Sequence, residues 1–260
     1  MQVYAVLDVI TARPGQSELN AAPHHLYGHV HPGEAYSTGA WLRDVERLID
    51  SDALAGRTPI FVGGTGLYFR ALLGGLSDMP AIPQAIRDRW RGELAAAGPE
   101  ALHRVLAGKD PDAAAAIRAS DGQRSVRALE VLEAAGRSIM ALRAEAGRPL
   151  VDPQTAERYV VEPDRGWLRG RIDDRFDTMV LCGALDEVKA LSALDLDPSL
   201  PAMKAIGVRE LLQAMAGRLT MAQAMDEAKA ATRQYAKRQS TWFRHQLGAE
   251  WKRVGTPSPA

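Results

Sequence analysis

Arg233, Lys237 and Arg244 recur within residues 231–244, a stretch with neither Pro nor Gly that reads as a helix. At about 100° per residue the three cations share a narrow sector of one face, while Ala231, Tyr235 and Trp242 fall on nearly the opposite face. Arg238 sits beside that apolar side, where a charge needs a partner. A one-sided basic stripe calls for an anionic counterpart, most simply phosphates. A solvated helix packed through Tyr235 and Trp242 is the plainer reading of the same pattern.

A second group lies at Gly63, Gly64 and Thr65. Thr58-Pro-Ile-Phe-Val62 before it is a short apolar run of the buried-strand type, and a helix with Leu67, Leu72 and Leu73 follows. Strand, glycine turn and helix make the βα unit of a parallel sheet, and ligands gather at the carboxyl ends of such strands. The glycines permit close backbone approach. Thr65 brings a hydroxyl to the helix N-terminus, where anions are favoured. A plain turn with Thr65 as N-cap fits the same residues.

The third group is on a helix from about Asp164 to Leu181, whose apolar stripe is Leu168, Ile172, Phe176 and Met179. Arg175 lies at the edge of that stripe and Arg171 a little further out. A half-buried Arg needs an anion, and either Asp173 or Asp174 could serve in place of a ligand. Gln123 and Arg127, four apart, share a face of another helix that Asp121 can cap; ordinary surface polarity competes with any binding role there.

The elements that must hold these groups follow from pattern. Ser37 can cap a helix over 37–49 with Trp41, Val45 and Leu48 inward. Residues 83–147 read as short helices with breaks at Gly98-Pro99, Lys109-Asp-Pro111, Asp121-Gly122 and Gly136, and no strand interrupts them. That makes a helical insertion (81–149) beside an α/β core (1–80 and 150–260). Tyr159-Val-Val161 is a strand candidate. Ala202 to Ala216 reads as a helix with Gly207 inside it, flanked by Lys204 and Arg209; an interior Gly costs about 1 kcal/mol, which close packing or close ligand approach would justify. Residues 256–260 read as a frayed tail.

Composition sets outer limits. Lys+Arg and Asp+Glu are 32 each, so the formal net charge is zero. Contact with nucleic acid must come from local patches and not from a global field. Cys182 is the only cysteine, which excludes an internal disulfide and a multi-cysteine metal site and suits a cytoplasmic location. No run of about eighteen apolar residues suggests a membrane partner, and the first ten residues lack the basic region and cleavage site of a signal peptide.

Taken in order, the motifs resemble those of the tRNA dimethylallyltransferase family. They are Met1-Gln-Val-Tyr4, Leu7-Asp-Val-Ile-Thr-Ala-Arg-Pro14, Pro23-His-His-Leu26, Glu34-Ala-Tyr-Ser37 and Val62-Gly-Gly-Thr-Gly-Leu-Tyr68. Gln123-Arg-Ser-Val-Arg-Ala-Leu-Glu130, Arg171-Ile-Asp-Asp-Arg-Phe176, Ile206-Gly-Val-Arg209 and the segment from Thr232 to Trp242 continue the match. Each fragment is weak alone; their number, order and spacing are specific and cover nearly the whole chain.

The resemblance implies a P-loop-type α/β fold, a parallel sheet core with an inserted helical domain. It implies transfer of a dimethylallyl group from its pyrophosphate to N6 of the adenine just 3′ of the anticodon in tRNA. Pyrophosphate leaves with heavy negative charge, so amides, basic residues and Mg²⁺ must stabilise it. The adenine must leave its stack, and a carboxylate should take or orient the amine proton. By resemblance, Gln2 holds the target adenine, Thr65 contacts the reacting centre, and Arg175 supports pyrophosphate and catalysis. Arg87, the segment Gln123, Arg124, Ser125, Val126 and Arg127, and the segment with Lys204 and Gly207 followed by Arg209 are implied to bind tRNA, as are Arg233 and Lys237 on the terminal helix. The implied partners are the tRNA anticodon stem-loop and dimethylallyl pyrophosphate, with Mg²⁺ as cofactor and the chain acting as a monomer. No side chain is assigned as a metal ligand.

The family also begins with a Walker-type loop, Gly-Pro-Thr-X-Ser-Gly-Lys-Ser/Thr, which nothing here matches. Met1 aligns inside the following Asp-Ser-X-Gln motif, so the first strand, the pyrophosphate loop and the general-base Asp would precede Met1. A start codon placed late explains this economically; a non-catalytic tRNA-binding remnant is the alternative. A related small-molecule kinase is disfavoured, because a basic helix and a helical insertion have no use on a small substrate.

Base catalysis alone is typically worth about 10²–10⁴-fold. The 260-residue chain is therefore expected to transfer little or no dimethylallyl group, and a chain extended upstream through the loop and the Asp-Ser pair is expected to be active. Mass spectrometry of unmodified tRNA incubated with dimethylallyl pyrophosphate and Mg²⁺ checks both. Normal turnover by the short chain would show the upstream segment to be dispensable.

Overall fold

The computed structural model describes residues 1–54, 56–77, 79–145 and 147–255; the tail at 256–260 lies outside them. The chain forms two compact units, residues 1–69 with 155–260, and residues 70–154. Along the sequence, α1 (Gln16–Ala21), α2 (Thr38–Ile49) and α3 (Gly66–Gly74) come first. Then come α4 (Gln84–Ala97), α5 (Pro99–Lys109), α6 (Pro111–Ala116), α7 (Gly122–Ala135) and α8 (Ile139–Ala144). After β1 (Tyr159–Val161) the chain continues through α9 (Arg165–Leu181), α10 (Ala184–Ser192), α11 (Val208–Met215) and α12 (Met221–Gln246) to β2 (Lys252–Val254).

The helix starts are set locally. The side chains of Ser37, Asp121, Asp164 and Thr220 each accept a backbone N–H from the first turn that follows, which satisfies donors the helix itself cannot. Pro99 and Pro111 each occupy a first helical position, where the missing N–H costs nothing. Gly136 closes α7 in the left-handed conformation at φ 64°.

In the first unit, α9 to α12 and the N-terminal loops share one core built on Tyr4, Leu7, Ile10, Phe176, Met179, Val188, Leu191, Val208 and Leu211. The sheet is small. β1 and β2 pair in parallel, Tyr159 opposite Lys252 and Val161 opposite Val254, and Tyr4 and Val30 form an isolated parallel bridge. The second unit buries Trp90, Leu102, Leu106, Leu129, Val131 and Ile139 among α4 to α8, with no strand among the described residues from 83 to 147. No helix among the described residues is long and apolar enough to cross a membrane.

Two elements depart from what their sequence suggests. Thr58 to Val62 is not a strand; Ile60 is 85% and Val62 78% exposed. A buried strand needs a neighbour for its backbone groups and a layer over its side chains, and no strand lies beside this run among the described residues. The helix read over 202–216 is two pieces, a 3-10 turn at Ala202–Lys204 and α11. Gly207 divides them at φ 97°, with its N–H bonded to the Glu210 carboxylate at 2.9 Å. It lies in the left-handed region that favours glycine, and an added Cβ would sit 2.9 Å from Ile10 and 3.0 Å from Phe176. Close packing explains this glycine, at a chain reversal and not inside a helix.

Glu187 on α10 holds the N-terminal loop. Its carboxylate accepts the N–H groups of Asp8, Val9 and Ile10 at 2.9, 2.5 and 3.0 Å. Hydrogen bonds to a charged group contribute about 1.5–3 kcal/mol each, and one carboxylate serves three donors here. Glu187→Ala is expected to cost about 2–4 kcal/mol of unfolding free energy, read as a lower urea midpoint, while Leu194→Ala at an exposed position of the same unit should change little.

Candidate functional site

The glycine turn docks against α12. Gln239 donates its side-chain amide to the Gly64 carbonyl at 2.9 Å, and the ring of Trp242 lies so close to Gly66 that an added Cβ would be 1.9 Å from it. From the other side, Trp41 of α2 stacks on Tyr68 with ring centroids 4.7 Å apart and meets Phe61 edge-on at 6.4 Å. Thr65 is held between these contacts with its side chain exposed, and its carbonyl accepts the Tyr68 N–H at 2.9 Å. Its hydroxyl therefore stays available at the start of α3.

The helix α12 is joined to α9 by two ion pairs, Arg233 with Asp173, and Lys229 with Asp177 at 2.5 Å. The spacing is i, i+4 on both helices, so the pairs form an antiparallel ladder. One turn further, the same register brings Lys237 level with Arg169, and no carboxylate answers either of them among the described residues. Lys237, Arg238, Trp242 and His245 border an open groove of about 590 Å³. Arg238 rests over the Tyr235 ring at 5.8 Å, and Tyr235 is 38% exposed where its position suggests packing.

Arg175 has neither of the carboxylates that its own helix could supply. Asp173 is taken by Arg233, and Asp174 forms no ion pair with Arg175 among the described residues. Solvent reaches the Arg175 side chain, yet neighbouring atoms withdraw enough water to lower its pKa, and the Arg171 charge lowers it further. Arg171 lies 5.7 Å over the Trp167 ring. Two arginines four apart on one helix face repel each other; together they form a seat that an anion would relieve.

The other residues singled out from sequence take various places. Gln2 donates its amide to the Ala12 carbonyl at 2.8 Å, closing the loop that Glu187 holds. Lys204 and Arg209 are exposed on either side of buried Gly207. In the second unit Gln123 and Arg124 are exposed, Arg87 and Arg127 partly so. Ser125 and Val126 are buried, 0% and 5% exposed, so their side chains pack on the inner face of α7. Arg233, whose position on the basic stripe suggests a phosphate contact, is paired with Asp173 and stays partly exposed.

Sequence pattern missed Glu187, Gln239 and Asp177, and it read Asp173 as a candidate partner for Arg175, where the structure pairs it with Arg233. Gln239 carries no signal without its partner loop. The i, i+4 spacing of Asp173 and Asp177 opposite that of Lys229 and Arg233 was a usable signal.

Tyr36 and Asp44 brace the N-terminal segment on α2. The Tyr36 hydroxyl donates to Asp44 at 2.5 Å, and His29 lies 3.1 Å from the same oxygen. Burial pushes the Asp44 carboxyl up, but hydrogen bonds from Tyr36 and His29 and the Arg47 charge outweigh it and hold the pKa below the usual range. Burial and the Asp44 carboxylate push the Tyr36 phenol up.

Gly66→Ala is expected to displace Trp242 and cost about 1–3 kcal/mol, the usual range for overpacking. Trp242→Leu in the same chain should recover part of that loss, a coupling that urea titration of the four-member cycle measures.

Comparison with known proteins places this arrangement. A family model described as IPP transferase matches residues 2–246. The tRNA dimethylallyltransferase of Mesorhizobium japonicum is 63% identical over 254 residues, 98% of this chain and 79% of that protein. The tRNA dimethylallyltransferase of Rhizobium meliloti is 53% identical over 257 residues, 99% of this chain and 85% of that protein. Among solved structures, the tRNA isopentenylpyrophosphate transferase of Bacillus halodurans is similar at TM-score 0.64 and 32% identity, over 98% of this chain and 78% of that one. A eukaryotic dimethylallyltransferase acting on tRNA is similar at TM-score 0.79 and 25% identity, over 98% of this chain and 65% of that one. With the family model spanning both units and the glycine turn, α9 and α12 all inside it, the chain belongs to the IPP transferase family.

Proposed function

We propose that the chain takes part in transfer of a dimethylallyl group from dimethylallyl pyrophosphate to N6 of the adenine 3′ of the anticodon in tRNA, acting as a monomer. The observation that carries the chemical part is Arg175, which solvent reaches, four residues from Arg171 on one face of α9 and in no ion pair among the described residues. In the reaction, N6 forms a bond to the allylic carbon, the carbon–oxygen bond to pyrophosphate breaks, and the amine loses a proton. Charge grows on the leaving pyrophosphate, where Arg175 and Arg171 stabilise it more than they stabilise the ground state. Thr65 offers a hydroxyl from a turn that α12 and Trp41 hold rigid, and Gln2 orients the adenine from the loop closed on Ala12.

The residues present do not by themselves make a Mg²⁺ site: no three of His, Cys, Asp and Glu converge among the described residues. Mg²⁺ keeps most of its own water and binds through substrate phosphates, so it enters this reading as a companion of pyrophosphate, and no step is routed through it.

Removing one donor to developing charge typically costs about 10²–10³-fold in kcat. Arg175→Ala in the upstream-extended chain is expected to lose transfer on that scale, and Thr65→Ala to lower it as well, both followed by mass spectrometry of tRNA. In the 260-residue chain, Arg175→Ala should weaken inorganic pyrophosphate binding in calorimetry. Unchanged binding together with unchanged transfer would remove Arg175 from the site.

A further inference from the structure

Beside Arg124 and Arg127, the second unit carries two further arginines, Arg70 and Arg143, that no role given above uses. Arg143 lies on α8, which packs against α7, the helix of Arg124 and Arg127. The segment after α8 is fastened to the end of α3, the helix of Arg70. Ser77 donates its hydroxyl to the Glu145 carbonyl at 3.0 Å, and the N–H groups of Leu150 and Val151 both donate to the Leu72 carbonyl, at 3.0 and 3.2 Å. Gly75 and Gly147 cross so closely that a Cβ on Gly75 would lie 2.2 Å from the Gly147 backbone. α3 and the consecutive pair α7 and α8 therefore bring four guanidinium groups into one field. Withdrawal from water, then the charges of Arg124, Arg127 and Arg70, lower the pKa of Arg143.

Carboxylates answer only half of these cations. Arg124 is paired with Asp121 and Arg127 with Glu130, each at 3.4 Å and each within its own helix. Arg70 and Arg143 form no ion pair among the described residues. Collecting like charges in this way opposes folding, and the packing of α3 and α8 needs no guanidinium at Arg70 or Arg143, since both residues are exposed. One phosphate would not occupy cations spread over three helices, whereas a chain of phosphodiesters would. Arginine matches that ligand because its planar fork binds phosphate oxygens two at a time.

We propose that Arg70 and Arg143, beside Arg124 and Arg127, form a seat for successive backbone phosphates of the RNA stem, with Arg70 and Arg143 carrying the charge that is free to act. The inference rests on the reading of tRNA as substrate and adds two residues to the RNA contact that the sequence motifs do not include. Phosphate contacts of this kind position the RNA and carry no sequence information.

The test is binding of an unmodified tRNA anticodon stem-loop to the full chain by fluorescence anisotropy across a salt series, with circular dichroism confirming the fold of each variant. Arg70→Gln and Arg143→Gln are each expected to weaken binding several-fold and to reduce the salt slope by about one. The double variant should lose both increments. Arg104→Gln, an exposed cation on α5 that is not among the charges acting on Arg143, should leave the slope as it is. An unchanged slope in the folded double variant, with wild-type binding intact, would overturn this seat and leave the tRNA reading standing. Absence of salt-dependent binding by the wild-type chain would overturn both.

Discussion

The ladder between α9 and α12 is the constraint on which the first unit's site depends. Asp173 and Asp177 face Arg233 and Lys229 across the seam, and α12 in turn carries Gln239 and Trp242 to the glycine turn. Partly exposed ion pairs contribute only about 1 kcal/mol each, so the ladder's effect is registration more than stability; the apolar contacts around Ala228, Phe176 and Met179 supply the burial. Slide α12 by one turn and Gln239 loses Gly64, Trp242 loses Gly66, and Thr65 loses its support.

The same ladder decides which cations remain for a ligand. It turns Asp173 and Asp177 of α9 toward α12, and it uses Arg233 from the basic stripe of α12. Among the described residues, Arg169, Arg171 and Arg175 on one helix and Lys237 on the other are among the cations that form no ion pair. A protein with no formal net charge can thus present local positive fields, because its carboxylates are committed to particular partners inside the fold. Charge totals say nothing of this; the pairing does.

Features carried by neighbours in sequence were legible. Ser37, Asp121 and Asp164 announce their helices because a cap bonds within the next turn, and the breaks at Gly98-Pro99, Pro111 and Gly136 act through φ alone. The motif order likewise pointed to the family before any coordinates did. Features that depend on a distant partner were not legible. Thr58 to Val62 has the composition of a buried strand and lies exposed, since composition does not supply the neighbouring strand. Gly207 reads as a helix-interior glycine and instead stands just before α11; its close neighbours Ile10 and Phe176 are far away in sequence. Within the motif from Gln123 to Arg127, helical periodicity turns Ser125 and Val126 inward, so a contiguous motif becomes an alternating surface.

Glu187 shows how far a single non-local contact reaches. Its carboxylate fills the N–H groups of Asp8 to Ile10, which would otherwise be an open anion seat in the N-terminal loop. With those donors engaged, the short 3-10 turn at Val9–Thr11 is fixed and ends at Ala12, whose carbonyl takes the Gln2 amide. The chain of contacts from α10 to Gln2 is continuous and wholly within the first unit. An internal carboxylate at that place answers three backbone donors of the loop, so the uncompensated positive charge nearby stays with side chains such as Arg171 and Arg175.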